Sequence, residues 1–278
     1  MPELPEVLTI KKDLHKEILG KTIVKVDLIQ KYPLTQPFNK IESTLNNQKV
    51  VKISNIAKLI TIKLTNQNYL AIHLNMSGRL LYNVTDPYIK ITLHFNTGDK
   101  LHFSSVRMFE TFKIMTTQER EKYKKQYGPS IISKKITPTD FEQIMKKNNT
   151  YIKNNLLNQR LVSGIGNIYA TDALYLSKIN PKTKSHKITK AKYTELFNNL
   201  QMLIKESIKH RGSTIDRYTD IYKKPGSHQN YFRIYGKKNQ NCLNCGQKIV
   251  FEALQGRGNY YCSICQPIDK KEQKSLFA

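Results

Sequence analysis

Apolar residues at the start of the chain recur at helical spacing. Between Pro5 and Leu19 they fall on one face of a helix, at Val7, Ile10, Leu14 and Ile18. Gly20 follows directly, and glycine is the residue that most readily takes the left-handed conformation at a helix end. The pattern therefore predicts a helix over 5–19.

The next part of the chain changes to short runs rich in β-branched and aromatic residues. These runs are TIVKVDLI, KVVKIS, LITIKL, YLAIHL, IKITLHF, KLHFSS and ETFKI, the last ending at Ile114. The tetrapeptide NTGD, residues 96–99, has the composition of a hairpin turn between two of them. Seven or so strands after one helix predict a β-sandwich with that helix at its side.

The pattern becomes helical in the second half of the chain. Residues 116–136 are charged and polar, and beyond them Thr137 is a suitable N-cap before Pro138. The segment from Thr189 to His210 carries one apolar face, which Gly212 ends. We predict a sandwich domain at 1–115, a linker at 116–136, a helical domain at 137–230, a cysteine module at 231–268 and a tail at 269–278.

The four cysteines all lie in the cysteine module. Cys242 with Cys245 and Cys262 with Cys265 form two C-x2-C pairs separated by sixteen residues. Two such knuckles across a β-hairpin deliver four thiolates to one zinc ion. Four thiolates leave no open coordination position, so we expect one structural Zn²⁺. A secreted disulfide protein would spread its cysteines along the chain, and their clustering favours a reducing cytoplasm.

Charge narrows the class of partner. The 278 residues include 46 Lys and Arg against 21 Asp and Glu, a net charge of +25 with a pI of about 9.8. Such an excess indicates nucleic acid or an anionic membrane surface. No apolar run approaches the roughly 18 residues of a membrane span, and neither a secretory segment nor a basic amphipathic segment with a lipid-anchor motif is evident. We therefore expect a cytoplasmic protein that binds nucleic acid and no membrane.

Glycines precede another apolar helical pattern. In SGIGNIYATDAL, Gly164 and Gly166 lack the preceding strand and the third glycine of a dinucleotide-binding fingerprint. Glycines at a helix start also bring backbone N–H groups close to a phosphate. In a basic helical domain we favour a nucleic-acid phosphate, with Asn167 as an N-cap, a phosphate ligand or both.

The first residues, MPELPEV, contain more than a helix start requires. Pro5 suits the first helical position, and Glu6 suits the positive first turn. Pro2 and Glu3 are left without a structural role.

Together these stretches resemble one protein family. MPELPEV, AKLITI with Lys58, IHLNMSG, RMF, SGIGNIYATDAL and a C-terminal four-cysteine finger occur in this order. That is the layout of the bacterial formamidopyrimidine-DNA glycosylases, and the resemblance covers nearly the full chain. It implies an α+β fold with an N-terminal β-sandwich and flanking helix, a helix-two-turn-helix DNA-binding domain and a zinc-finger hairpin.

The function implied by the resemblance is base-excision repair. Such enzymes remove oxidised purines, for example 8-oxoguanine and formamidopyrimidines, and then nick the abasic strand by β,δ-elimination. The implied partner is double-stranded DNA that contains oxidised bases or abasic sites. We expect a bifunctional glycosylase and DNA-(apurinic or apyrimidinic site) lyase that acts as a monomer on the bacterial nucleoid.

The resemblance gives Pro2 and Glu3 a role. Removal of Met1 would leave Pro2 with a free secondary amine. α-Amino groups titrate near a pH of about 8, so a useful fraction is neutral and nucleophilic near neutrality. Attack on the anomeric carbon of the sugar displaces the damaged base and forms a Schiff base. Glu3 matches the acid and base of the family, and Glu6 is expected to start the helix and order the amine.

Further residues match positions that contact DNA. The positions that grip phosphates around the lesion are occupied by Lys58, His73, Asn167 and Arg257, of which Lys58 and Arg257 are counted with the catalytic residues. The positions that enter the duplex where the target base has left are occupied by Met76, Arg107 and Phe109. Glu6 and Lys153 complete the DNA-binding set. Without the resemblance, Met76 and Phe109 would be assigned to an ordinary apolar core.

The chain also departs from the family pattern. The departures are Asn75 for a usual glycine, Ser105 and Val106 for an aspartate–proline pair, Glu110 for a glycine, and Asn154 and Asn155 for a proline and a bulky residue. None removes a catalytic group. They affect the geometry of the loop expected to enter the duplex and the lesion preference.

Three other functions stay open at the level of sequence. An endonuclease VIII-like enzyme would apply the same chemistry to oxidised pyrimidines. A non-catalytic DNA-binding zinc protein would keep only the scaffold, although intact Pro2, Glu3 and Glu6 argue against it. A basic zinc-ribbon protein that acts on RNA is the third.

Overall fold

The computed structural model describes residues 2–254 and 256–268 of an α+β chain. Met1 and the tail predicted at 269–278 lie outside the described residues. The chain forms two compact units, one of Met1–Gln126 with Ser207–Gln229 and one of Tyr127–Glu206 with Asn230–Ala278. The last stretch of the helical domain predicted at 137–230 thus packs within the first unit.

The first unit is built around one eight-stranded antiparallel sheet. Its elements are α1 (Leu4–Ile18), β1 (Thr22–Leu28), α2 (Phe38–Leu45), β2 (Gln48–Ile56), β3 (Leu59–Leu64), β4 (Tyr69–His73), β5 (Arg79–Tyr82), β6 (Ile89–Phe95), β7 (Lys100–Ser104), β8 (Thr111–Met115) and α3 (Thr117–Lys124). The strand order is β5-β7-β6-β1-β2-β3-β4-β8.

This sheet folds over on itself into a sandwich. At the middle of the order, β1 and β2 pair only at Thr22 with Lys49 and at Ile23 with Gln48. The ring of Phe103 on β7 lies 5.2 Å from the ring of Phe112 on β8, although these strands are far apart in the order. Both halves therefore share one core, to which α1 contributes Val7, Ile10, Leu14 and Ile18. The predicted sandwich with a flanking helix is confirmed.

The pattern of residues predicts seven of the eight strands and misses β5. β5 has only four residues, RLLY, and none of them is β-branched, so it lacks the composition by which the other runs are identified. The pattern also misses α2, an eight-residue helix that begins after Pro37 and buries Ile41 and Leu45. The predicted linker at 116–136 contains α3. Such short elements are defined by what they pack against, which local sequence does not record.

The second unit is helical and ends in a hairpin. Its elements are α4 (Pro138–Lys146), α5 (Ile152–Leu157), α6 (Asn167–Leu176), α7 (Lys190–Lys209), β9 (Val250–Leu254) and β10 (Arg257–Tyr261), and the end of α7 belongs to the first unit. Thr137 caps α4 as predicted, because its hydroxyl accepts a 3.2 Å hydrogen bond from the Asp140 N–H. The Phe141 ring packs 5.5 Å from the Phe197 ring of α7.

None of the helices in the described ranges is both long enough and apolar enough to cross a lipid bilayer.

Candidate functional site

The N-terminal residues are buried and tied down. Pro2 is buried, and Glu3 and Glu6 are 4% and 1% exposed. Glu3 takes the extended N-cap conformation before α1, and its N–H donates a 2.7 Å hydrogen bond to Glu6 Oε2. Pro5 is consequently the second residue of the helix and not the first as predicted, because α1 begins at Leu4. Through its hydrogen bond with the Glu3 N–H, the Glu6 side chain fixes the backbone next to Pro2.

A distant loop holds the other oxygen of Glu6. The Ser213 N–H donates a 2.7 Å hydrogen bond to Glu6 Oε1. Gly212 precedes it with φ +83°, and a Cβ at Gly212 would lie 2.7 Å from Glu6 Cγ, so a larger residue would displace the carboxylate. The sequence marks Gly212 as a helix end but carries no sign of this contact.

Arg211 anchors the same loop. Its backbone is also left-handed, with φ +60°. Its guanidinium pairs with Asp13 of α1 at 2.5 Å and with Asp220 at 2.6 Å. Because two carboxylates from separate segments bind one guanidinium, the turn that carries Ser213 is fixed to α1. No local sequence motif indicates this ion-pair group either.

His73 ends β4 beside Lys58. Burial, and secondarily the charge of Lys58, lower the pKa of His73, so its imidazole is neutral near pH 7. The Asn75 N–H donates to His73 Nδ1 at 3.2 Å. The proton of the neutral ring therefore lies on Nε2, which makes this atom a hydrogen-bond donor.

Met76, Arg107 and Phe109 form one cluster at the surface. Met76 is 50% exposed and Phe109 is 65% exposed, so the assignment of these two residues to an ordinary core is wrong. Arg107 Nη1 lies 3.6 Å from Met76 Sδ, and its guanidinium carbon lies 5.8 Å from the centre of the Phe109 ring. The structure thus brings together the three residues predicted to enter the duplex. Two large apolar side chains and one cation are presented to solvent.

The second unit gathers its predicted DNA-binding residues at β10. Lys153 Nζ donates to the Gly258 carbonyl at 3.1 Å and to Thr171 Oγ1 at 2.8 Å. Asn167 Nδ2 donates to the same carbonyl at 3.2 Å. The neighbouring Arg257 is exposed at the start of β10. The hairpin and the start of α6 are therefore joined at one backbone carbonyl.

Asn167 is not the N-cap of α6. Gly166 takes that position in an extended conformation, so Asn167 is the first helical residue. Its side chain then points to the hairpin instead of to its own helix. Asn167 Oδ1 is buried, and the described part of the chain offers it no hydrogen-bond partner.

The four cysteines converge as predicted. Their sulfur atoms lie within 4.8 Å of one another and form no disulfide. Cys242 Sγ is 3.8 Å from Cys265 Sγ, and Cys245 Sγ is 3.4 Å from Cys262 Sγ. Zinc–sulfur bonds of about 2.3 Å in a tetrahedron require sulfur atoms about 3.8 Å apart. The four thiols therefore fit one tetrahedral metal ion.

Comparison with known proteins places this architecture. A model of the formamidopyrimidine-DNA glycosylase N-terminal domain matches residues 1–112, and a model of the H2TH domain of the same enzymes matches residues 127–219. A formamidopyrimidine-DNA glycosylase of Mycoplasma mobile is 34% identical, over 97% of this chain and 100% of that protein. One from Bacillus cereus is 32% identical, over 96% and 99%.

Solved structures agree with these relatives. A complex of a Lactococcus lactis FPG mutant with a Fapy-dG containing DNA has a TM-score of 0.88 and 29% identity, and covers 96% of this chain and 100% of its own. A complex of Lactococcus lactis Fpg with an abasic site containing DNA has a TM-score of 0.88, 28% identity and the same coverage. Fold and matches together define a DNA-repair glycosylase. The chain belongs to the formamidopyrimidine-DNA glycosylase family.

Proposed function

We propose that this protein removes oxidised purines, 8-oxoguanine and formamidopyrimidines, from duplex DNA and then cleaves the strand at the abasic site. The observation that carries the proposal is the buried N-terminus, where Glu6 holds the backbone of Glu3 beside Pro2. The Fapy-dG and abasic-site DNA in the related complexes supports the choice of substrate.

The proposed chemistry begins at Pro2. Its secondary amine attacks C1′ of the damaged nucleotide, and the N–C1′ bond forms as the bond from C1′ to the base breaks. The base leaves with the bonding electron pair and takes up a proton, while the amine nitrogen loses its own. Glu3 donates a proton to the sugar-ring oxygen, which opens the ring and leaves an iminium between Pro2 and C1′. The cationic nitrogen acidifies the C2′ proton, so a base removes it and the 3′ phosphate leaves. A second elimination removes the C4′ proton and releases the 5′ phosphate. Water then hydrolyses the iminium, which frees Pro2 and releases the remaining sugar fragment as an aldehyde.

Most of the proposed contacts position the DNA and do not read its base sequence. We assign phosphate contacts to Lys58, His73, Lys153, Asn167 and Arg257, which combine cations with neutral donors, such as the Nε2–H of His73. The cluster of Met76, Arg107 and Phe109 would fill the gap left by the flipped nucleotide. With a net charge of +25, these contacts would make binding salt-dependent.

We assign zinc to the four-cysteine site. Thiolates are preferred zinc ligands, and the sulfur separations suit tetrahedral coordination. When bound, the ion holds the two knuckles of the hairpin together and has no open position for water or substrate. The ion would therefore contribute to DNA binding only by stabilising the hairpin that carries Arg257 and Gly258 of β10. Free clustered thiols also support the proposal of a cytoplasmic enzyme, which we expect to act as a monomer.

Replacement of Cys262 by serine tests this structural assignment. Cys262 is buried against Ile234 and Ile249, so loss of one ligand is expected to release the metal and unfold the hairpin. We expect less than one metal ion per chain by elemental analysis and at least about tenfold weaker binding of an abasic-site duplex, because phosphate contacts would be lost. Ser263→Ala, in the same knuckle, is the control and should keep both. Full metal content with unchanged affinity would contradict the assignment.

A panel of duplexes tests the proposed substrate class. Single-turnover excision is measured on 8-oxoguanine, a formamidopyrimidine, an oxidised thymine and undamaged DNA. We expect rapid excision and strand cleavage on the two purine lesions and little on the others. Preference for the oxidised thymine would favour the endonuclease VIII-like alternative. Tight lesion binding without excision would favour a non-catalytic DNA-binding protein. Preferential binding of RNA in a competition assay with DNA would favour a zinc-ribbon protein that acts on RNA.

A further inference from the structure

Glu110 is a buried carboxylate directly behind the cluster of Met76, Arg107 and Phe109. It is 7% exposed, and its two carboxylate oxygens accept hydrogen bonds from Ser77 and Ser105. Its Oε1 accepts hydrogen bonds from the Ser77 N–H at 3.1 Å and from Ser77 Oγ at 2.7 Å. Its Oε2 accepts a hydrogen bond from Ser105 Oγ. A carboxylate can only accept, so the three donors must all point towards it.

The two serines pass this orientation on to the surface cluster. Ser77 Oγ accepts a 3.0 Å hydrogen bond from the Arg107 N–H, and Ser105 Oγ accepts one of 3.0 Å from the Met108 N–H. Each hydroxyl donates its one hydrogen bond to Glu110, and its oxygen lone pairs accept the hydrogen bond from the backbone N–H. Glu110 therefore determines the direction of both hydroxyls and, through them, the backbone that carries Arg107.

Three further contacts hold the loop of residues 105–110 in place, two of them from the loop of residues 74–78. Asn75 Nδ2 donates to the Phe109 carbonyl, while its own backbone is left-handed with φ +40°. A Cβ at Gly78 would lie 2.5 Å from Glu110 Cγ, so Glu110 fills the space that Gly78 leaves. The buried Tyr32 hydroxyl donates to the Glu110 carbonyl at 2.6 Å. The backbone and the side chain of Glu110 are thus both held in place, and the two loops are joined beside it.

We propose that Glu110 is a positioning residue for recognition of the base opposite the lesion. Through Ser77 and Ser105 it holds the backbone of Arg107 and Met108, so that the guanidinium is presented to the orphaned base in one orientation. The proposal rests on the proposed function, because it assumes that Arg107 enters a duplex from which a damaged base has left. Asn75, Ser105 and Glu110, which depart from the family pattern, then act as one connected group.

The test compares opposite-base preference in Glu110→Ala, Arg107→Ala and the double variant. Excision of 8-oxoguanine opposite cytosine and opposite adenine is measured under single turnover. A hydrogen-bonded base contact discriminates by roughly 5- to 150-fold. We expect Glu110→Ala to lower the ratio of the excision rate opposite cytosine to that opposite adenine at least about fivefold. Without Glu110 the backbone of Arg107 is no longer fixed, so its guanidinium discriminates poorly between the two bases. The double variant should lose no more preference than Arg107→Ala alone, since both changes remove one effect.

Further variants separate positioning from loss of stability. Ile41→Val removes one methylene from the core at α2 and should leave the ratio unchanged even if it lowers the melting temperature. Ser77→Ala removes the hydroxyl between Glu110 and Arg107, should reproduce the lowered ratio, and replaces Glu110→Ala if that variant does not fold. Glu110→Gln keeps an acceptor for Ser77 and should restore most of the preference.

Two results would overturn the proposal. One is an unchanged ratio in both Glu110→Ala and Ser77→Ala. The other is a double variant in which the two losses multiply, because independent effects would then act on the ratio. Affinity for a duplex with a tetrahydrofuran abasic analogue, opposite cytosine or adenine, is measured in parallel. If the wild-type protein excises no lesion, the proposed function fails, and the affinity ratio still decides the role of Glu110.

Discussion

Borohydride is expected to trap the protein covalently on a duplex that carries 8-oxoguanine, with the cross-link at the nitrogen of Pro2. Borohydride reduces an iminium to a stable amine, so it captures the intermediate that a proline nucleophile forms. The burial of Pro2 and the hydrogen bond from the Glu3 N–H to Glu6 hold the nucleophile in a fixed place. Peptide mapping of the trapped complex by mass spectrometry locates the bond.

Blocking the amine should remove this product. An N-terminal extension left in place acylates the nitrogen of Pro2, and we expect no trapped complex above background and no excision. Pro2→Gly keeps an amine but loses the rigid ring, and it should be severely impaired. Pro5→Ala is the matched control, because Pro5 lies in the first turn of α1 and should leave trapping intact. A cross-link that maps to Lys58 would show that the nucleophile has been misassigned.

Glu3→Gln should lower the single-turnover rate of 8-oxoguanine excision by about 10²–10⁴-fold, the usual contribution of a positioned proton donor. A carboxamide cannot donate a proton to the sugar ring, whereas it keeps the size of the side chain. The backbone N–H of residue 3 still reaches Glu6, so the N-terminus should remain in place. Glu42→Gln, on α2, should leave the rate unchanged.

An abasic duplex distinguishes loss of proton transfer from loss of the nucleophile. Its sugar already exists in part as the open aldehyde, so amine attack needs no departing base. Glu3→Gln should therefore still be trapped on the abasic duplex while excision of 8-oxoguanine fails. Equal loss of both reactions would mean that the change displaces Pro2, and an unchanged excision rate would exclude Glu3 as the acid.

The sequence by itself determined the elements and motifs that depend only on residues close to one another in the chain. The spacing of Val7, Ile10, Leu14 and Ile18 predicts α1, because a helix repeats every few residues whatever it packs against. The runs rich in β-branched and aromatic residues predict seven of the eight strands of the large sheet. The two C-x2-C pairs predict the four-sulfur site, since ligand type and spacing are both local. The family layout was likewise readable from short motifs in order.

Tertiary structure alone decided which distant groups meet. Glu6 and Ser213 are 207 residues apart in the sequence. No local pattern shows that the turn after Gly212 contacts Glu6. Asn167 matches an N-cap by residue type, but packing of β10 beside α6 turns its side chain to Gly258. Glu110 follows directly after the exposed Phe109, yet its carboxylate is buried and accepts hydrogen bonds from Ser77 and Ser105. Propensity and periodicity depend only on residues that are close in sequence. These hydrogen bonds join segments that are distant in sequence and come together only in the folded protein.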